Sequence, residues 1–324
     1  MKRDMIRYTI LAMTLALGAA SAGCGDSEPA QRPRGPVIEL GAGMAAPESG
    51  HYAAAKGIGG PIRTRGTVDD GDLFTAAAAG WETPGTPDYA APCTWLSTFT
   101  AAAAATAQSV TLTPIRYYSG YPGVTTWMKA WHPAGTLGPD GRVSFGGPAD
   151  GQTDVMLAGA VSGSSEIRPE DLVFNHCLTQ VRFRIASATT PATPVTLTSI
   201  TVKGAQLPTG LDLTADGPTY AAAADLPVPE IAAGAFAFAV TPQGVGAPLL
   251  VKPFGRNFLT VDIVTSLGLH ADVRATIDSD AQFVPGKAYT ITLTYTGDGA
   301  KPLGASVSVA PWQDVEGGGS DIPI

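Results

Sequence analysis

The 324-residue sequence has few charged side chains and few residues that could build a metal or nucleophilic centre. Charged residues make up 15% of the chain, and it contains only 3 cysteines and 4 histidines. A helical bundle or a coiled coil would be much richer in Glu, Lys, Leu and Arg. The cysteines form no CxxC pair, so no structural zinc site is expected. The 39 glycines and 27 prolines favour many short strands joined by turns.

Sequence motifs of catalysis and of nucleotide binding are also missing. The chain has no GxSxG, no HExxH, no P-loop and no GxGxxG in a βαβ context. The acidic run DDGD at 69–72 lacks the distal Glu of a calcium-binding loop. The histidines are scattered, and no pair of carboxylates stands out for a hydrolase. We therefore expect no enzymatic activity, no cofactor and no metal.

The charge balance argues against a nucleic-acid partner. The formal net charge is -8. Removal of residues 1–23 takes away three basic residues and one acidic residue, which leaves 17 basic against 27 acidic side chains. Proteins that bind nucleic acid usually carry a basic patch or stripe. This chain has none.

The N-terminus has the pattern of an exported lipoprotein. Three basic residues precede the apolar run YTILAMTLALGAA, which is too short for a helix that spans a membrane. The small residues SAG then precede Cys24, as in a bacterial lipobox, although Ser21 stands where Leu is commoner. We predict a signal peptide over 1–23, a lipid on Cys24 and a flexible tether over 24–35. Ordinary signal cleavage beside an incidental cysteine is the alternative.

The two remaining cysteines are far apart in the sequence. Cys93 and Cys177 could form one disulfide in an exported protein. Two separate buried thiols are the alternative, because sequence alone does not show whether their Cα atoms approach closely enough.

Short runs with alternating apolar residues recur along the chain, and about a dozen of them are strand candidates. The clearest is DLVFNHCLTQVRFRIAS at 171–187, with apolar residues at even positions up to Leu178 and at odd positions from Val181. Alternation with period two places each set on one face of a strand. The change of phase at 179–180 therefore requires a bulge, a bend or a change of packing partner.

The strand count and the turn spacing are typical of β-sandwiches. A linker-like run, SATTPATP, lies at 187–194. We therefore predict two sandwich domains, over 36–188 and 189–324.

Ring side chains in the strand candidates are interpreted mainly as core residues. His176 lies on the apolar face of its strand, which is typical of a hydrogen-bonded core or interface histidine. His132 is expected at a strand end, next to a turn. Trp127 and Trp131 are four residues apart and share a face if the chain is extended, so they either pack in the core or form a platform for a sugar.

Several segments, in order along nearly the whole chain, resemble the fimbrillin family. Its members are lipoprotein subunits of the type V pili of certain Gram-negative gut and oral anaerobes. The succession of DVMLA and FNHCL is the most specific part of the resemblance. The matching segments are the lipobox at Cys24, TRG at 64–66, GWETPG, WMKAWHPAG at 127–135, DGQTDVMLAG at 150–159, LVFNHCLTQVRFRI at 172–185, PGKAYTITLTYTG and the final APWQD.

The resemblance implies a fold and a maturation pathway. The fold would be two transthyretin-like β-sandwich domains in tandem, and the subunit would be exported as a precursor held at the outer membrane by its N-terminal lipid. An Arg-specific protease would then remove the N-terminal segment together with its first strand. A strand from another pilin subunit would insert into the exposed groove, which is an example of β-augmentation. The product would be an extracellular fimbrium.

The removable segment is assigned to residues that precede the first domain's main body. The first strand is expected near 36–45, and the resemblance makes Val37, Ile38 and Leu40 its candidate residues. A protease-sensitive loop is expected over 46–66, where no pattern of secondary structure is evident.

Two arginines in that loop are candidates for the cut. Cleavage between Arg65 and Gly66 is preferred, and cleavage after Arg63 is the alternative. A merely solvated basic loop would need no protease. Cleavage after Arg65 would leave a chain with a formal net charge of -11, because five basic and four acidic residues would be lost with residues 24–65.

The C-terminal segment offers a candidate donor strand. Val307 and Val309 recur with period two and could fill pockets of a neighbour's groove. The function implied is that of a structural pilus subunit that contributes to adhesion. The alternative is a surface lipoprotein or tip adhesin that binds a glycan or a host protein, which exposed rings at Trp81, Trp127 or Trp131 would favour.

Overall fold

The structure is a computed structural model that describes residues 33–45, 68, 71–146, 150–277, 282–297 and 303–311. In these residues every regular element is a strand, as the composition predicts. The strands are β1 Arg34–Val37, β2 Leu40–Met44, β3 Leu73–Thr83, β4 Trp95–Ala102, β5 Gln108–Val110, β6 Tyr117–Ser119, β7 Thr125–His132, β8 Thr136–Leu137, β9 Arg142–Ser144, β10 Met156–Ala158, β11 Val161–Gly163, β12 Leu172–His176, β13 Thr179–Ser187, β14 Thr196–Ala205, β15 Pro208–Asp212, β16 Gly217–Tyr220, β17 Ala224–Pro227, β18 Phe236–Ala237, β19 Gln243–Val251, β20 Phe258–Thr265, β21 Gly268–Thr276, β22 Lys287–Tyr295 and β23 Leu303–Pro311.

No helix that could span a membrane occurs in the described ranges. The same ranges contain no group of three or more His, Cys, Asp and Glu side chains arranged to hold a metal ion.

The N-terminal half is built around an eight-stranded sheet. Its order is β4-β3-β7-β10-β12-β2-β5, and β11 also pairs with β7. One face of this sheet packs into a cluster that we call the N-terminal core. Its residues include Ile38, Leu40, Ala42, Met44, Val68, Phe74, Phe99, Val110, Met128, Met156, Leu172 and Phe174. The members of this cluster recur at every second position of their strands, as side chains on one face of a sheet do.

The C-terminal half contains two sheets that share one core. Their orders are β19-β13-β22-β23 and β17-β14-β20-β21, and β18 also pairs with β14. The C-terminal core takes side chains from both sheets, which is the arrangement of a β-sandwich. Its residues include Val181, Phe183, Ile185, Leu197, Ile200, Leu249, Leu259, Ile263, Ile291 and Leu293.

The phase change predicted near 179–180 marks a change of sheet. β12 belongs to the eight-stranded sheet, whereas β13 pairs with β19 and with β22. The chain passes between the sheets at Cys177 and Leu178. From the sequence we assigned 179–187 to the first domain. In the structure this segment is hydrogen-bonded to β19 and β22, which follow residue 188.

The two halves also share a sheet. β8 and β9 from the first half pair with β15 and β16 from the second, in the order β16-β15-β9-β8. A third cluster, the junction core, lies beside it and contains Ala77, Ala79, Trp81, Cys93, Trp131, Leu137, Val143, Val155, Leu157, Leu178, Leu211, Leu213 and Leu250. The halves are joined by backbone hydrogen bonds and by apolar packing.

A buried lysine strengthens this junction. Lys129 of β7 is 2% exposed, and its Nζ donates to the Leu213 carbonyl and to the Asp216 carboxylate. The same ammonium lies 3.9 Å from the centre of the Tyr89 ring. The positive charge is thus met by three groups, as a buried charge requires.

Candidate functional site

The N-terminal strand β2 lies inside the eight-stranded sheet. It pairs antiparallel with β5, with Leu40 opposite Val110, and parallel with β12, with Ala42 opposite Leu172. All five of its residues are buried. The first three residues of β2 are therefore paired with β5 and the last three with β12, so every residue of the strand has a paired neighbour.

One face of β2 fills the N-terminal core. Ile38 precedes the strand and is buried, and Leu40, Ala42 and Met44 follow it on the same face. Leu40 has no exposed surface. These apolar side chains hold the strand in place through hydrophobic burial.

The opposite face of β2 has room only for glycine. A Cβ on Gly41 would lie 2.1 Å from the Asp171 carboxylate, and a Cβ on Gly43 would lie 2.9 Å from the Ala104 carbonyl oxygen. Backbone cannot retreat as easily as the end of a side chain, so Gly43 is the stricter position. The site accepts a strand with apolar residues on one face and very small residues on the other.

A second short strand precedes β2. β1 pairs with β6, and the Ile38 amide donates to the Arg116 carbonyl at 2.9 Å. The removable strand expected near 36–45 is therefore two strands separated by Ile38 and Glu39. Of its candidate residues, Ile38 and Leu40 are buried, whereas Val37 is 46% exposed.

Removal of β1 and β2 would open a groove. β5 and β12 would each lose a hydrogen-bonded neighbour, and the N-terminal core would lose its covering side chains. Unpaired strand edges beside an apolar floor are the features that bind an added strand. We call this region the β2 groove and define it by β5, β12 and the core residues under β2.

Val68, which follows the predicted cut, belongs to the same core as the side chains of β2. Val68 is buried in the N-terminal core, and its amide donates to the Asp154 carboxylate at 3.2 Å. The same carboxylate lies 3.1 Å from Nδ1 of His176. His176 therefore has a buried, hydrogen-bonded side chain, as its position in the strand predicts. Asp154 was not singled out by sequence reasoning, and its place in the DVMLA segment is the one signal that could have found it.

Three predicted residues fall outside the described ranges. They are Cys24 at the predicted lipid attachment point and the two candidate cleavage residues, Arg63 and Arg65. Their assignments stay predictions.

The candidate donor strand lies at the edge of a C-terminal sheet. β23 pairs antiparallel with β22 along its length, with Val307 opposite Ile291 and Val309 opposite Tyr289. Val307 is partly buried and packs against the C-terminal core. Within the described residues, β22 is the strand with which β23 is paired.

Two of the three tryptophans considered as a platform are buried. Trp81 and Trp131 are buried, and their ring nitrogens donate to the carbonyls of Ala91 and Ala134. Trp127 lies on the same face of β7 as Trp131 and is partly buried. Core packing is therefore the role of Trp81 and Trp131.

The other sequence assignments concern a histidine and a thiol. His132 ends β7, and its Nδ1 lies 2.7 Å from the Thr75 carbonyl.

Cys177 carries a free thiol, so a disulfide between Cys93 and Cys177 is not formed. Burial, with a further contribution from the charge of Asp154, raises the pKa of Cys177 to about 12.

Comparison with known proteins gives one family and one fold. A fimbrillin-like family model matches residues 72–312. A structure from Bacteroides uniformis, described as a "putative cell adhesion protein", has a TM-score of 0.52 and 17% identity over 86% of this chain and 99% of the other. One from Parabacteroides distasonis, described in the same words, has a TM-score of 0.50 and 11% identity over 88% and 99%. At such identities the likeness shows a shared fold. No curated protein sequence matches the chain.

Proposed function

Because this chain belongs to the fimbrillin-like family, we propose that it is a structural subunit of a cell-surface pilus and contributes to adhesion. The precursor is exported, carries a lipid on Cys24 and is anchored in the outer membrane. An Arg-specific protease cuts it after Arg65, with Arg63 as the alternative, and the subunits then polymerise by donor-strand exchange into an extracellular fimbrium. Each half of the chain corresponds to one transthyretin-like domain.

The position of β2 is the observation that carries this proposal. A strand at the N-terminus of the chain occupies an interior position between β5 and β12 and is buried along its length. In this proposal a cut after Arg65 or Arg63 separates β2 from the strands that follow it in the described part of the chain. Its departure leaves two open sheet edges and an uncovered apolar floor, which together favour the binding of another strand.

The sequence of β23 supports a choice of donor. β2 reads LGAGM over Leu40–Met44, and the first five residues of β23 read LGASV. In this alignment Leu303, Ala305 and Val307 take the apolar positions, and Gly304 takes the place of Gly41. Ser306 takes the place of Gly43, where its Cβ would meet the backbone of Ala104 and Ala107, so this position is the one mismatch of the alignment. Val309 lies beyond the five aligned positions and would extend the inserted strand.

The exchange also changes the number of strands that flank β23. In its own chain β23 lies at a sheet edge and is paired with β22. In the β2 groove the same strand has a neighbour on each side. Departure from β22 costs a ladder of nine residue pairs, whereas β2 makes three pairs with β5 and three with β12, so apolar burial in the groove has to offset the lost pairing.

The test uses the full precursor and an Arg-specific protease. We expect cleavage after Arg65, followed by multimers that a synthetic peptide with the sequence of 303–311 reduces in size. Arg63→Lys combined with Arg65→Lys is the matched control, because it keeps both charges and removes both cleavage sites. A chain that is trimmed after Arg65 but stays monomeric and does not bind the peptide would overturn the proposal.

The adhesin alternative would be favoured by exposed rings at Trp81, Trp127 or Trp131. Trp81 and Trp131 are buried, whereas Trp127 is partly exposed. Binding of a host or bacterial receptor by the assembled pilus is a separate matter, and no described residue singles out a receptor surface.

A further inference from the structure

Asp154 lies in DVMLA and His176 lies in FNHCL. These are the two segments in which the resemblance to the fimbrillin family is most specific. His176 is opposite Met156 in the antiparallel pairing of β10 with β12, and Asp154 lies two residues before Met156. The Cys177 amide also donates to the Val155 carbonyl at 2.8 Å. The register between these segments therefore brings the carboxylate and the imidazole together.

The Asp154 carboxylate is fully buried, and such a group requires partners. Its Oδ2 accepts from the Val68 amide at 3.2 Å and lies 3.1 Å from Nδ1 of His176. A hydrogen bond to a charged acceptor is stronger than one between neutral groups. The carboxylate thus fixes the backbone of Val68, while the Val68 side chain is buried in the N-terminal core.

Val68 stands three positions after Arg65 and five before the start of β3. After a cut at Arg65 the new N-terminus is Gly66, only two residues before Val68. Two residues span at most about 7 Å of extended chain. The fixed point is therefore next to the new chain end and beside the core that β2 covers.

We propose that Asp154 and His176 form an anchor that keeps Val68 in place when the N-terminal segment leaves. The anchor separates the part of the chain that departs from the part that stays. It keeps the Val68 side chain in the floor of the β2 groove, so that an incoming strand meets a preformed surface. This inference rests on the proposed maturation, but the contact with Val68 can be tested in the uncut chain.

The first experiment measures hydrogen exchange of the Val68 amide in the uncut precursor. Asp154→Asn removes the charged acceptor, and we expect the amide to exchange at least about tenfold faster, as loss of a hydrogen bond to a charged group implies. Asp225→Asn is the matched control, because that carboxylate lies in a remote, half-exposed ion pair with Lys203. Equal exchange in the wild type and Asp154→Asn, with both folded, would overturn the anchor.

A second pair of variants distinguishes loss of the hydrogen bond from a general loss of structure. His176→Asn keeps a donor close to the position of Nδ1, whereas His176→Leu removes it. We expect the asparagine variant to retain most of the protection of the Val68 amide and the leucine variant to lose it. Equal loss in both variants would contradict the role assigned to the imidazole.

The second experiment treats the cleaved protein with a processive aminopeptidase and follows the intact mass. We expect trimming of the wild type to stop at Val68, and trimming of Asp154→Asn to continue into the acidic residues that follow. Trimming past Val68 in the wild type would contradict the anchor. Failure of cleavage at Arg65 would contradict the maturation proposal and leave the exchange experiment decisive for the anchor.

Discussion

Ala42 of β2 is paired with Leu172 of β12 in parallel register, across 130 positions of sequence. Parallel neighbours cannot be joined by a tight hairpin, so β2 is held by pairing and packing and not by a short connection to its partner. Under the proposed maturation the strand would leave as one piece after a single cut, while β12 would stay joined to the chain on both sides.

Gly43→Val should destabilise the uncut precursor by about 1–3 kcal/mol, as overpacking does. The added Cβ would lie 2.9 Å from the Ala104 carbonyl oxygen and 3.0 Å from the backbone of Ala107. Urea unfolding measures the change. Gly159→Val is the control, because nothing lies within 4 Å of a Cβ at that glycine. Equal stability of the two variants would mean that the outer face of β2 has more room than the structure indicates.

Leu40→Ala should lower the stability of the precursor by about 2–5 kcal/mol, because Leu40 is fully buried and its truncation leaves a cavity. The half-exposed Val37 is the control, and Val37→Ala should change stability by less than about 0.5 kcal/mol. After cleavage and removal of the N-terminal segment, both variants should unfold as the wild type does. A persistent difference in the cleaved form would show that the segment had not left.

Lys129→Met should cost about 1–3 kcal/mol, since it removes two hydrogen bonds and a cation–π contact from the junction. Asp216 is 62% exposed and would be solvated in the variant. Lys203→Met removes a more exposed ion pair and should cost less than about 1 kcal/mol. Calorimetry compares the two variants. Equal melting temperatures would contradict the importance of Lys129 for the junction.

The Cys177 thiol should resist alkylation by iodoacetamide at pH 8 in the folded protein and react readily in urea. Burial raises the pKa of Cys177 to about 12, so the reactive thiolate is scarce at pH 8 when the chain is folded. Mass spectrometry of the peptide that contains Cys177 gives the labelled fraction. Rapid labelling of the folded protein would contradict the burial.

The same pKa shift predicts how stability depends on pH. The unfolded chain loses the Cys177 proton near pH 9, whereas the folded chain keeps it up to about pH 12. The unfolded state therefore binds fewer protons in this range, and stability should fall as the pH rises from 9 towards 12. Cys177→Ala should remove that part of the decrease. An unchanged slope in the variant would show that the thiol makes no contribution.

Local patterns predicted much of this fold, because period-two alternation reports which face of a strand is buried. It correctly marked 179–180 as a place where the packing partner changes, and composition correctly indicated an all-β protein. Alternation also explains why Val37 differs from Ile38 and Leu40. Even-numbered residues of this segment face the core, so an odd-numbered neighbour points outward.

Long-range partners could not be predicted in the same way. Nothing local to β13 says that its neighbours are β19 and β22, and nothing local to β9 says that it pairs with β15 from the other half. Such pairings depend on the complementarity of distant surfaces. The contact of Asp154 and His176 with Val68 could not be predicted for the same reason. The two residues lie in separate segments, and they meet Val68 only after the sheet has formed.

The sheet that β8 and β9 share with β15 and β16 has a mechanical consequence. In the proposed filament, tension enters a subunit through the strand held in its β2 groove and leaves through its own β23. The load must cross the junction, where the ladder between β9 and β15 and the Lys129 ion pair connect the halves. A subunit joined only by a flexible linker would stretch at that point under shear flow, whereas this one transmits the force as a stiff link.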